Sequence, residues 1–168
     1  GLLASVKSYA EALTQFGAMT ITLLSANYVS TNITATVTVR SGYTTATVQN
    51  LTEFALTLVA SAIDNQVIEY YNENGIDSTR TAIINTIWSW AFTSDENDAL
   101  ESIILKWKEL LGTRSYRDFG QILEVGDLWI MGNSLYNYGV DVFSLTSPTT
   151  NVSITSSQIS DAGTVAVS

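Results

Sequence analysis

Charge is concentrated in the middle of this chain. Residues 1–52 carry three charged side chains (Lys7, Glu11 and Arg40), residues 53–127 carry eighteen, and residues 128–168 carry two (Asp141 and Asp161). Two nearly neutral flanks therefore surround a centre of ordinary globular character, and the flanks need another source of hydration. Hydroxyls supply it: 19 Ser and 22 Thr make up about a quarter of the 168 residues, with 11 Asn beside them. Charged residues are 14% of the whole, against about 25% in an average globular protein, and the mean hydropathy is +0.19. A hydroxyl and amide surface stays hydrated when carboxylates are protonated, so it loses little on acidification.

The flanks read as strands. Ile33, Ala35, Val37 and Val39 alternate with Thr34, Thr36, Thr38 and Arg40, a period of two in β-branched residues that predicts a half-buried strand. Another strand is predicted before it, at 19–25. Ser41 and Gly42 supply a turn, and the alternation of Thr45, Thr47 and Gln49 with Ala46 and Val48 completes a predicted hairpin with one threonine face. Beyond Gly120, strands are predicted at 121–125, 128–131 and 138–145, punctuated by Gly126, Gly132 and Gly139. Pro148, the single proline, marks a break before 151–157 and the uncharged terminal piece 163–168.

The middle reads as helices. Asn50, Leu51, Thr52 and Glu53 have the pattern of a capping box, which predicts a helix from there through Tyr71, closed by Asn74 and Gly75. A second helix, capped by Asp77 or Ser78, carries Ile83, Ile84, Ile87, Trp88 and Phe92. A third, capped by Ser94 or Asp95, places Leu100, Ile103, Ile104, Trp107, Leu110 and Leu111 at three- and four-residue spacing until Gly112 ends it. The expected class is α+β in a single domain over 1–168. A short amphipathic helix or docking arm covers 1–17, strands cover 18–49, a helical segment covers 51–112, and strands with an extended tail cover 120–168. The strands of the two ends are expected to form an antiparallel β-sandwich or half-barrel, with the three-helix insertion over one face. A chain of 168 residues suits one domain that buries roughly 70% of its unfolded surface.

The chain contains no Cys and no His. That excludes a Ser-His-Asp triad, a cysteine nucleophile, a Cys/His zinc site and a histidine pH switch. No cofactor, metal or catalytic residue is expected. Three lysines (Lys7, Lys106 and Lys108) and a net charge of -9 also argue against nucleic acid, since Arg114 with Arg117 makes no basic stripe. Apolar stretches end well short of the roughly 18 residues that cross a bilayer. Gly1 stands where a translated chain has Met, which points to a processed or trimmed product.

Other groupings have structural readings that outweigh their chemical ones. Asp95, Glu96, Asp98 and Glu101 answer a helix dipole better than they ligate calcium, and the segment from Tyr70 to Gly75 lacks the first carboxylate of a calcium loop. Glu124 and Asp127, read on adjoining strands, are the carboxylate pair a glycosidase would need. Trp88 and Trp107 read as core, whereas Trp90 and Trp129 are the better platforms for a sugar ring. N-x-S/T sequons occur at Asn32, Asn50 and Asn151; eleven asparagines in such a chain give about three by chance. They become glycan sites only if the protein passes through a glycosylating export route, and Asn50 doubles as the expected helix cap.

Neutral strands decide the functional expectation. Soluble monomers guard sheet edges with Lys, Pro and inward charges, and the flanks here carry five charges and one proline. The reading is a non-enzymatic, self-assembling structural subunit, extracellular or on a cell surface, forming a filament, pilus-like thread or layer. Its partners are other copies of itself, joined by strand pairing or donation, with Thr164, Val165, Ala166 and Val167 as the inter-subunit strand. A virus coat or tail subunit is the alternative within the class. A carbohydrate-binding or carboxylate-based glycosidase domain is the alternative outside it.

Overall fold

The computed structural model describes residues 27–61, 89–112 and 118–168, with Ser5, Thr81, Ile84 and Asn85 as single positions, all four but Ser5 from the middle of the chain. The expected strand at 19–25, residues 62–80 and the N-terminal arm apart from helical Ser5 lie outside the described residues.

The alternating stretch forms strand β1 (Asn27–Val39). Its odd positions Thr31, Ile33 and Ala35 are buried, and its even positions from Tyr28 to Thr38 are exposed. Strand β2 (Val140–Ser147) lies antiparallel on one side of β1, and strand β3 (Gln158–Val167) lies parallel on the other. The order is β2-β1-β3. Among the described residues the β-structure is thus one open, mixed sheet of three strands in an α+β fold, not antiparallel throughout. The described helices lie in the connection between β1 and β2, and the short segment 148–157 carries the chain from β2 past β1 to β3.

Helix α1 (Thr45–Ala60) follows the Ser41-Gly42 turn directly. The expected second arm of a hairpin at 45–49 is therefore the first turn of a helix. Asn50 is not its cap either, because Thr44 holds that position. Burial explains the difference: Val48, Leu51, Thr52, Ala55 and Val59 are all buried at helical spacing, and this outweighs a local preference of threonine for strands. The hydroxyls are satisfied within the helix, Thr52 Oγ1 donating to the Val48 carbonyl at 2.7 Å and Thr57 Oγ1 to the Glu53 carbonyl at 2.8 Å. The helix ends at Ala60 with an extended Ser61, short of the expected Tyr71.

The second expected helix is seen at Thr81, Ile84 and Asn85, but it does not reach Phe92. Ser89 turns left-handed (φ 56°), and Trp90 and Phe92 leave the helix to pack on Phe54 of α1. Phe54 meets both rings edge-on, at 5.6 and 5.5 Å between centroids, while Trp90 and Phe92 stack at 5.9 Å. Asn85 ties the turn down, donating to the Phe92 carbonyl at 2.8 Å and accepting its N–H at 3.0 Å.

A capping box formed by Thr93 and Glu96 opens a 3-10 turn (Ser94–Glu96), which leads into helix α2 (Asn97–Leu111). The cap falls one residue before the expected Ser94. Leu100, Ile103, Ile104, Trp107 and Leu111 are buried as the spacing predicted, and Gly112 (φ 69°) ends the helix. Fully burying each such aliphatic side chain contributes about 1.5–3 kcal/mol.

The stretch expected as a strand at 128–131 is instead within helix α3 (Val125–Ser134). Four consecutive apolar residues fix no period; Leu128 and Met131 turn inward while Trp129 and Ile130 remain partly exposed. The strands expected at 121–125 and 151–157 reduce to one bridge between Leu123 and Val152. Helix α1 packs on β3 and β1 on one side and on α2 and α3 on the other. Helix α3 covers β2, and Gly132 permits it: a Cβ there would stand 2.5 Å from the ring of buried Phe143. Gly132→Ala is expected to destabilise the fold by about 1–3 kcal/mol through overpacking. A urea melt reads this as a lower midpoint at unchanged slope.

Candidate assembly surface

All three described helices lie on one side of the sheet, and this leaves the other side to solvent. Its exposed positions are the even residues Tyr28 to Thr38 of β1, Val142, Ser144 and Thr146 of β2, and Thr164 and Ala166 of β3. Cross-strand pairs there join Thr36 to Ser144, Thr38 to Val142 and Thr34 to Ala166. The three strands hold two charged residues in all, Asp141 and Asp161, and no lysine. The threonine face expected for a local hairpin exists, but its neighbours come from the other end of the chain.

The two sheet edges differ. On β3, Ser168 N–H donates to the Ala35 carbonyl at 3.1 Å and Val37 N–H to the Ser168 carbonyl at 2.8 Å. Successive amides along a strand point to opposite sides, so the Val167 N–H points away from β1. It donates to Glu53 Oε1 of α1 at 3.1 Å. Farther back, Ser160 Oγ donates to the Ala60 carbonyl at 2.8 Å in a fully buried contact. Strand β3 is thus held to α1 at both ends, and at Val167 through an outward amide of its edge.

On β2, among the described residues, no strand or side chain takes up the outward backbone groups. Among the described residues it is guarded by bulges, where the register with β1 slips between Thr34 and Ala35 and again between Thr38 and Val39. Pro148 follows the last residue of β2, and a residue without an N–H does not extend a ladder.

The residues singled out as an inter-subunit strand are in β3. Val165, Ala166 and Val167 pair with Ile33, Thr34 and Ala35 of the same chain, and Thr164 lies in a bulge where its N–H donates to Asn32 Oδ1 at 3.0 Å. Gly163 makes the bulge possible, since a Cβ there would clash with the same Asn32 oxygen. Sequon Asn32 is therefore exposed on the open face with its carbonyl oxygen engaged. Asn151, in the loop before β3, uses its Oδ1 to accept the Val125 N–H at 2.9 Å and so satisfies the start of α3. Asn50 sits half-buried within α1.

The carboxylate and aromatic groupings take structural positions. Glu124 stands at the N-cap position of α3 without a side-chain cap bond and Asp127 is in its first turn, so they share one helix end instead of facing each other from two strands. They border a depression of about 440 Å³ with Leu110, Gly120, Gln121 and Ile122. Glu96 accepts the N–H and hydroxyl of Thr93, and no group of three or more acidic side chains among the described residues is arranged to hold a metal. Trp107 is core, Trp90 is in the Phe54 cluster, and Trp129 is 38% exposed with its ring edge-on to Phe143; Trp88 is outside the described residues. No described helix is long and apolar enough to cross a membrane. The residue that sequence reasoning missed is Glu53: its spacing suggested a cap, and no local signal connects it to Val167, which lies 114 positions away.

Compared with known proteins, the chain matches no family model, no curated protein and no solved structure. Glu53→Ala is expected to cost about 1.5–3 kcal/mol, the range for a hydrogen bond to a charged group. In hydrogen exchange the Val167 amide should lose its protection while Ser168, bonded to β1, keeps its own.

Proposed function

We propose that the protein is a self-assembling structural subunit whose copies join through the edges of their sheets, outside the cell or on its surface. One observation carries this: an edge strand, β2, whose outward backbone groups have no partner among the described residues and whose only charge is Asp141. Unpaired strand backbone is a template for another strand, and β2 lacks the lysines that would repel one. The hydroxyl-covered open face supports the same reading, because it remains hydrated and uncharged where acid would remove salt bridges. In this reading the larger β-architecture expected from the sequence belongs to the assembly, with sheets of neighbouring copies continuing one another. The work is pairing and packing, and no catalytic group is invoked.

Purified protein is expected to sediment as concentration-dependent oligomers and to show rods, threads or sheets by negative-stain microscopy. A monodisperse monomer across the whole accessible concentration range would contradict the reading. Lysines at the exposed edge positions, Val142→Lys with Thr146→Lys, should weaken association about tenfold or more by placing like charges where strands meet. The helical circular dichroism should be unchanged.

A further inference from the structure

We infer that the joining contact is two-fold: β2 of one copy lies antiparallel against β2 of a second, centred on Ser144. This rests on the strand-pairing reading above and names the strand and its mate.

The inequality of the edges comes first. A head-to-tail contact would set β2 against β3 of the next copy, and there Glu53 already occupies the Val167 N–H at 3.1 Å. Such a contact must break a charge-assisted hydrogen bond before it makes one of its own. A β2–β2 contact breaks nothing among the described residues.

Strand β2 is also self-complementary. Residues directly opposite in an antiparallel pair lie on the same face. With Ser144 facing its own mate, Phe143 of one copy meets Leu145 of the other on the helix-covered side, where Phe143 is buried and Leu145 partly so. On the open side Val142 meets Thr146, both exposed. Asp141, the one charge on the strand, falls opposite Ser147 and not opposite the Asp141 of its mate. Around Ser144 the strand is thus apolar against apolar on one side and neutral on the other, its two bulges fall at Asp141 and Thr146, and no like-charge pair forms. The product is a continuous six-stranded sheet with helices on one side, hydroxyls on the other, and a β3 tied down by Glu53 at each outer edge. A contact of this symmetry closes on itself, so the dimer is the building block and any growth beyond it uses another surface.

The absence of cysteine from the chain makes the test clean, because every disulfide formed reports an introduced thiol. Residues opposite one another have Cα atoms about 4.5–5.5 Å apart, inside the roughly 4.4–6.8 Å that a disulfide spans. Under mild oxidation of the full chain, Ser144→Cys should give a covalent dimer, and Thr164→Cys on β3 about tenfold less. As a check on register that does not depend on one variant folding, Val142→Cys and Thr146→Cys should crosslink with each other when mixed and poorly when alone. Crosslinking of Ser144→Cys only when it is mixed with Thr164→Cys would overturn the two-fold contact and leave strand pairing standing. Oligomers that yield no β2 crosslink at all would also overturn it. Protein that sediments as monomer at every concentration would overturn this inference and the reading beneath it together.

Discussion

The fold depends on β1 having a partner along each side. A strand in the middle of a sheet needs its backbone donors and acceptors met to left and right, and β1 finds them in two segments from the far end of the chain, β2 at 140–147 and β3 at 158–167. Ile33 and Ala35, fully buried on the helix side, anchor the strand to the core. The described helices all lie in the connection between β1 and β2, an antiparallel pair that a tight turn could have joined. A shared apolar core, and not a demand of strand order, holds them on one face.

Helix α1 makes the arrangement specific. It buries Phe54, Leu56 and Leu58 completely, receives Trp90 and Phe92 on the Phe54 ring, and reaches β3 twice, through the Ala60 carbonyl and the Glu53 carboxylate. The same helix that closes the core thereby engages an outward amide of β3 at one edge of the sheet. Helix α3 does the equivalent for β2 only on its face, through Gly132 against Phe143, and leaves the outward backbone of that strand alone. An unequal pair of edges follows from where two helices sit.

Sequence reasoning recovered those parts whose cause is local. The alternation around Ile33 to Val39 gave a strand with an outward hydroxyl face, the three- and four-residue spacing from Leu100 to Leu111 gave α2, and Gly112 gave its end. It failed where a short pattern admits two periods: Thr45 to Gln49 alternates like a strand yet begins a helix because Val48 and Leu51 are drawn into the core, and the run Leu128 to Met131 carries no period at all. The division of charge between flanks and middle was a better guide than any motif, since the nearly neutral flanks contain all three strands. The individual contacts that shape the candidate surface were not legible. Glu53 with Val167 and Asn32 with Thr164 join residues more than a hundred positions apart, and a single sequence does not encode such pairs in its local spacing.

The central claim is that β2 is the surface by which copies meet, and hydrogen exchange of the full chain over a range of protein concentrations tests it most directly. Amides of residues 140–147 that point away from β1 should slow in step with the oligomer population, while the Val167 amide, already held by Glu53, should exchange at a constant rate. Growth of oligomers with no change in the exchange of 140–147, or with new protection along the outward edge of β3, would contradict it.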